Sequence, residues 1–248
     1  MFLIRFVMFS ILCICLAGGC SAEEIKNQSS LTIIGEEYAP FSYYSDGTAT
    51  GLSVTLIEEL SADTGIPVNR SSISLLPWNE AYNATVNGSN TLLLEVYRLP
   101  ARENDLQWVG PIAVDSSALF VRSDLNATIT NVSDMKGFNV GVVSGDAHFD
   151  MLRGYGIAPE NIVTAPNATT LVTEVQDGTI DGFFYGEQAG KYAISEVTGT
   201  NETLPVALRV DEQKVWFGLS KDTPSEIVSL LQKSLDKRND NLAGNTTI

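Results

Sequence analysis

The chain reads as an α/β protein with a mainly parallel sheet covered by helices on both faces. Three observations predict this. Short apolar or β-branched stretches alternate with segments of helical spacing along almost the whole length. Stretches such as Asn139–Val143 are apolar almost throughout rather than every second residue, as strands buried on both faces are. Charged residues gather just past strand ends, where open α/β sheets place their ligand crevice.

The elements follow in order. Leu31–Ile34 is a short buried strand, and Tyr38–Tyr43 an aromatic loop closed by the turn Ser45-Asp46-Gly47. Val54, Leu56, Ile57 and Leu60 recur at helical spacing between Leu52 and Thr64, and Gly65 with Pro67 stops that helix. Val68–Ile73 reads as a strand, Pro77 starts a helix running toward Val86, and Thr91–Tyr97 is a strand broken by Leu99-Pro100. Leu106–Trp108 and Ala118–Val121 are predicted as separate strands flanking Gly110-Pro111. A new unit begins near Ser117: a helical turn at Ser133–Gly137, the strand Asn139–Val143, and a helix through Met151 and Leu152 led in by Ser144–His148. A strand at Ile162-Val163, a helix Thr169–Gln176, a strand Ile180–Tyr185 ending at Gly186-Glu187 and a helix Gln188–Val197 follow. Val206–Val210 and Val215–Leu219 bracket the polar step Asp211–Lys214, and an amphipathic helix spans Pro224–Lys237.

With 248 residues the chain is long enough for one large domain or two lobes. Thirty acidic against 15 basic residues, a net charge of -15, argue against nucleic acid or anionic lipid as partner. One histidine, His148, and no cysteine cluster leave no metal site to propose, and no cofactor is implied. His148 itself reads as a polar residue on a helix face. The three cysteines, Cys13, Cys15 and Cys20, lie in the first twenty residues, where Arg5 precedes an apolar run too short for a membrane span. That segment reads as a signal peptide, residues 1–20. Its end, Leu16-Ala17-Gly18-Gly19-Cys20-Ser21, is similar to a lipobox that would lipidate Cys20; ordinary cleavage releasing a soluble protein is the alternative. Either way the mature chain is exported, and residues 21–30 form a polar tether. Asn-x-Ser/Thr sequons at Asn27, Asn69, Asn83, Asn87, Asn126, Asn131, Asn167, Asn201 and Asn245 fit a glycosylated surface protein.

The richest stretch is Glu95-Val96-Tyr97-Arg98-Leu99-Pro100-Ala101-Arg102-Glu103. It sets Arg98 and Arg102 past the end of a buried strand, and a guanidinium fork there suits a carboxylate or other planar anion. Pairing of both arginines with Glu95, Glu103 and Asp105 on a solvated turn is the structural alternative.

The order of motifs resembles the extracellular solute-binding proteins of family 3, which deliver amino acids and other small polar solutes to ABC importers. Tyr38-Ala39-Pro40-Phe41 followed by Gly51 is similar to the family's opening. Leu99-Pro100-Ala101-Arg102 is similar to its threonine-proline-glutamate-arginine motif, Asp134-Met135-Lys136-Gly137 to its Asp-Leu-Lys-Gly turn, and Gly178-Thr179-Ile180-Asp181 to its Gly-x-x-Asp step. The resemblance implies a two-lobe periplasmic-binding-protein-like (type II) fold with the ligand cleft between the lobes. Lobe 1 would take residues 29–113 and 215–248, and lobe 2 residues 117–209. It also implies a monomeric binding protein at the outer face of the cytoplasmic membrane, closing around a small polar solute for an ABC permease or a membrane receptor.

Carried over, Arg102 matches the arginine for a ligand carboxylate, Trp78 and Tyr38 match pocket aromatics, and Ala147 matches the residue whose N–H helps hold the carboxylate. Tyr97 ends the same strand as Glu95 and joins the candidates. Two positions depart from the family's pattern. Gly186 stands where amino-acid binders carry the carboxylate for the ligand's ammonium, with Glu187 beside it, and Glu95 stands where a small hydroxyl residue is usual. Glu95 then either belongs to a cationic or polyhydroxyl subsite, or is neutralised by Arg98 while Glu187 replaces the missing aspartate. A rival from another class is a dehydratase- or lyase-type enzyme on the same scaffold, using Glu187 or Glu95 as acid or base.

Overall fold

The computed structural model describes residues 30–199 and 204–245. The expected signal peptide with Cys20, and the expected tether up to residue 29, lie outside them. Eight strands form one sheet in the order β4-β1-β5-β10-β6-β9-β7-β8. These are β1 (Thr32–Gly35), β4 (Ser74–Leu75), β5 (Thr91–Tyr97), β6 (Gln107–Val121), β7 (Val140–Val143), β8 (Ile162–Ala165), β9 (Gly182–Gly186) and β10 (Val206–Leu219); β2 (Tyr43–Ser45) and β3 (Thr48–Thr50) make a separate hairpin.

The sheet has two halves of like topology. In one, β4, β1 and β5 are parallel and β10 runs antiparallel beside β5; in the other, β8, β7 and β9 are parallel and β6 runs antiparallel beside β9. The long strands β6 and β10 pair with each other from Gln107↔Leu219 to Phe120↔Val206 and so belong to both halves. Helices α1 (Leu52–Thr64), α2 (Trp78–Asn87) and α6 (Ser225–Asn245) cover the first half; α3 (Ala147–Gly154), α4 (Ala168–Gln176) and α5 (Glu187–Thr198) cover the second. One apolar cluster centres on Ile57, Leu92, Phe217 and Leu231, another on Leu119, Val142, Leu152 and Phe184. A third crosses from one half to the other, joining Tyr38, Trp78 and Leu93 to Val143, Phe183 and Tyr185. The halves are therefore packed against each other.

Several elements differ from expectation. Residues 106–108 and 118–121 belong to one strand, because a register shift opposite Val215–Phe217 absorbs Pro111, whose missing N–H would break a regular ladder. The side-chain amide of Gln232 meets the Gly110 backbone there, donating to its carbonyl at 3.1 Å and accepting from its N–H at 2.8 Å. The polar step at 211–214 likewise stays in β10, since ladder bonds are indifferent to side-chain polarity. The strand expected at Val68–Ile73 is a 3₁₀ turn, Arg70–Ser72, which Asn69 caps by accepting from the Ser71 N–H; only Ser74–Leu75 pair with β1. The last helix runs on to Asn245, with Arg238 reaching back to Glu59 and Asp63 on α1.

Candidate functional site

Between the halves lies a small cavity of about 20 Å³, room for roughly one water. Its walls are Glu36, Tyr38, Trp78, Glu95, Tyr97, Arg102, Asp146 and His148. Each sits where the fold presents it. Glu36 follows β1, Glu95 and Tyr97 close β5, and Arg102 lies in the next turn, all at carboxyl ends of strands. Trp78 opens α2; Asp146 is the N-cap of α3 and His148 its second residue.

Two hydrogen bonds cross the cavity mouth. Trp78 Nε1 donates to the Gly145 carbonyl at 2.8 Å and Arg102 Nη2 to the same oxygen at 3.2 Å. Gly145 turns its carbonyl there at a φ of 75°, a conformation that favours glycine. The Arg102 guanidinium stacks 5.0 Å from the Trp78 ring and 5.2 Å from that of Tyr82. Among the described residues no carboxylate lies within ion-pair distance of it.

Glu95 is 5% exposed. Its Oε2 accepts from Ser42 Oγ at 2.9 Å, while Oε1 is buried with no partner. Burial pushes its carboxyl up to about 7, with the nearby Ser53 and Ser42 hydroxyls acting the other way. Glu36, hydrogen-bonded to the Tyr185 hydroxyl, is held well above the usual carboxylate range by burial and then by the charges of Asp146 and Glu95. For Asp146 burial opposes the charge, but the His148 ring and Arg102 outweigh it, so its carboxyl stays below the ordinary value. Its Oδ2 lies 3.1 Å from His148 Nδ1, and His148 Nε2 lies 2.9 Å from Ser117 Oγ. His148 is fully buried between these partners, unlike the face residue expected, because Asp146 and Ser117 satisfy both ring nitrogens.

The remaining sequence candidates fall elsewhere. Arg98 leaves Glu95 alone: it pairs with Glu103 through Nε at 2.8 Å and Nη2 at 2.6 Å, and lies between the rings of Trp108 and Trp216. Residues 95 and 98 differ by an odd step along an extended chain, so they face opposite ways. Glu187 is outside the cavity lining. Both its oxygens are taken by Arg209, at 2.8 and 2.9 Å, with Lys191 adding a third bond, and these cations hold its carboxyl down at about 2. Ala147 is fully buried against Tyr97 and Val215, and the helix start it opens is capped by Asp146, whose carboxylate accepts from the His148 N–H.

Gly186 has no room for a side chain. A Cβ there would stand 1.9 Å from Tyr38 Oη and 2.4 Å from Asp115 Oδ2. Asp115, buried on β6, thus brings a carboxylate to the space that Gly186, the last residue of β9, leaves empty. Tyr38 and Tyr97 both donate to its Oδ2, at 2.6 and 3.1 Å, and burial raises its carboxyl. Sequence reasoning missed Glu36, Asp146 and Asp115. Glu36 follows the carboxyl end of β1 and Asp146 precedes a helix, two signals legible in the sequence; the place of Asp115 depends on the pairing of β6.

Two α/β halves joined by long antiparallel strands, with a polar cavity between them, define a two-lobe binding-protein architecture. The chain belongs to the bacterial extracellular solute-binding proteins, family 3, whose model matches residues 31–243. A histidine kinase sensor domain similar to periplasmic binding proteins superposes with a TM-score of 0.76 at 20% identity, over 88% of this chain and 93% of that one. The arginine-bound amino-acid ABC transporter substrate-binding protein AbpA from Streptococcus pneumoniae gives 0.73 at 20%, over 88% and 92%. The ancestral amino-acid-binding protein AncCDT-1, a precursor of cyclohexadienyl dehydratase, gives 0.71 at 18%, over 88% and 93%. At these identities the likeness shows the fold. A comparison with curated proteins returned no match. Among the described residues no helix is long and apolar enough to cross a membrane.

Proposed function

We propose that the protein captures a small cationic solute, a basic amino acid or a related amine, between its lobes and presents it to an ABC importer. The observation that carries this reading is the buried Oε1 of Glu95, which has no hydrogen-bond partner, in an aromatic-walled cavity that Glu36 and Asp146 also line. Leaving that oxygen unpaired costs about 1–3 kcal/mol, which an ammonium or guanidinium donor would recover. The aromatic rings of Tyr38 and Tyr97 in the same wall suit the same cation. Arg102, with no carboxylate of its own, remains for an anionic or carbonyl group at the other end of the ligand. Capture proceeds by closure of the lobes, with Trp78 and Arg102 latching onto Gly145. A sensory role is the second reading, favoured by the likeness to a histidine kinase sensor domain; Cys20 would tether the protein to the membrane in either case.

Calorimetric titration with arginine, lysine, agmatine, putrescine, glutamate and glucose tests this. Binding of one or more cationic solutes, abolished in Glu95→Gln, is the expected result. Binding of glutamate or glucose alone overturns it. Arginine binding far more tightly than agmatine, with the difference lost in Arg102→Ala, would assign Arg102 to a carboxylate.

A further inference from the structure

A second and larger cavity, of about 160 Å³, opens between the hairpin β2–β3 and helix α5. Tyr185 stands between the two: its hydroxyl meets Glu36, a wall residue of the inner cavity, while Tyr185 itself lines the outer one. Four of the chain's eight tyrosines line the outer cavity, Tyr43 and Tyr44 from one lobe and Tyr185 and Tyr192 from the other. The Tyr43 and Tyr192 rings meet across it, 5.6 Å apart and tilted by 44°. Tyr44 and Tyr192 are 41% and 38% exposed, a large aromatic surface to leave in water.

Two carboxylates, Glu37 and Glu196, complete the wall. Among the described residues no lysine, arginine or histidine pairs with either. Both act on Tyr192: burial, then Glu196, with Tyr43 and Glu37 after it, raises its hydroxyl, and both carboxylates line the same cavity as that ring. The start of α4 at the cavity's edge offers little to an anion, because Asn167 Oδ1 already accepts from the Thr170 N–H and the Thr169 hydroxyl.

We infer that this outer cavity is a second binding site, separate from the inner one, for a small organic ammonium ion held against tyrosine faces and balanced by Glu37 and Glu196. Electron-rich ring faces attract a cation, and a methylated ammonium loses little hydration on entering. A cavity of about 150 Å³ takes a molecule the size of benzene, so a choline-sized head fits. Since each lobe supplies part of the wall, an ion bound here favours the closed arrangement.

Tetramethylammonium chloride titrated into the protein by calorimetry, against sodium chloride at equal ionic strength, is the test. Saturable binding to wild type is expected, kept in Tyr192→Phe and in Glu95→Gln, and weakened roughly tenfold in Tyr192→Leu. Glu196→Gln should weaken it as well. Because Tyr192 is partly exposed, a normal thermal transition in Tyr192→Leu separates a lost site from a lost fold. The inference is overturned by the absence of saturable binding, by unchanged affinity in a folded Tyr192→Leu, or by loss in Glu95→Gln, which would move the ion to the inner cavity.

Discussion

Glu95 combines in one side chain a cost in stability and the binding role proposed for it. With its folded carboxyl at about 7 and an ordinary value of 4.5 once unfolded, the native state keeps a proton that the unfolded chain releases. Stability therefore falls as pH rises from about 4.5 to about 7, and the full penalty, roughly 3 kcal/mol, applies above that window. Glutamine does not titrate. Urea unfolding of ligand-free protein should show Glu95→Gln gaining up to about 3 kcal/mol on wild type at about pH 8, with the gain shrinking toward pH 4.5. A gain that does not change with pH would show that Glu95 is not the buried proton acceptor. Glu187 behaves oppositely: its partners Arg209 and Lys191 stabilise the charge, so its contribution is present above the ordinary carboxylate range and lost as pH falls toward about 2. Both cations are half-exposed, so solvent screening keeps the contribution of these pairs small.

At the level of elements, the sequons acquire a structural meaning that needs no glycan. In Asn69-x-Ser71, Asn131-x-Ser133 and Asn167-x-Thr169 the asparagine Oδ1 accepts from the hydroxyl two residues on. Each asparagine also caps a helical turn, Asn167 by accepting from the Thr170 N–H at 2.9 Å. Asn-x-Ser/Thr is thus the sequence of a capped turn as well as of a glycosylation acceptor. In protein made without glycosylation machinery, Asn167→Ala should lower stability by about 1 kcal/mol, while Asn167→Asp, which keeps the cap and removes the acceptor, should leave the melting midpoint nearly unchanged. Equal midpoints for Asn167→Ala and wild type would remove the cap from the account.

Over the whole molecule, the charge of -15 and the acidic inner cavity would act together on the approach of the proposed cationic solute. A cationic solute is steered by this field, and added salt screens it over a Debye length of about 8 Å at physiological strength. Stopped-flow association of the cationic ligand should slow as salt rises from about 0.01 to 0.5 M, with dissociation changing much less. Association insensitive to salt would argue for a neutral ligand. The packing of Tyr38, Trp78 and Leu93 against Val143, Phe183 and Tyr185 holds the lobes together around a cavity with room for about one water.

The alternation of strands and helices, the aromatic first loop and the place of Arg102 past β5 were legible in the sequence, because each depends on local period and on chain order alone. Strand continuity was not, since β6 and β10 are held through Gly110-Pro111 and through the polar residues 211–214 by their pairing with each other. The site was half legible. Tyr38, Trp78, Glu95, Tyr97 and Arg102 all line the inner cavity. Only the tertiary structure decided that Arg98 turns to Glu103 and Glu187 to Arg209, that Asp146 and Glu36 join Glu95, and that Asp115 fills the space beside Gly186. The physical reason is that sequence order fixes which end of a strand a charge occupies, whereas its partner is chosen by distance across the fold.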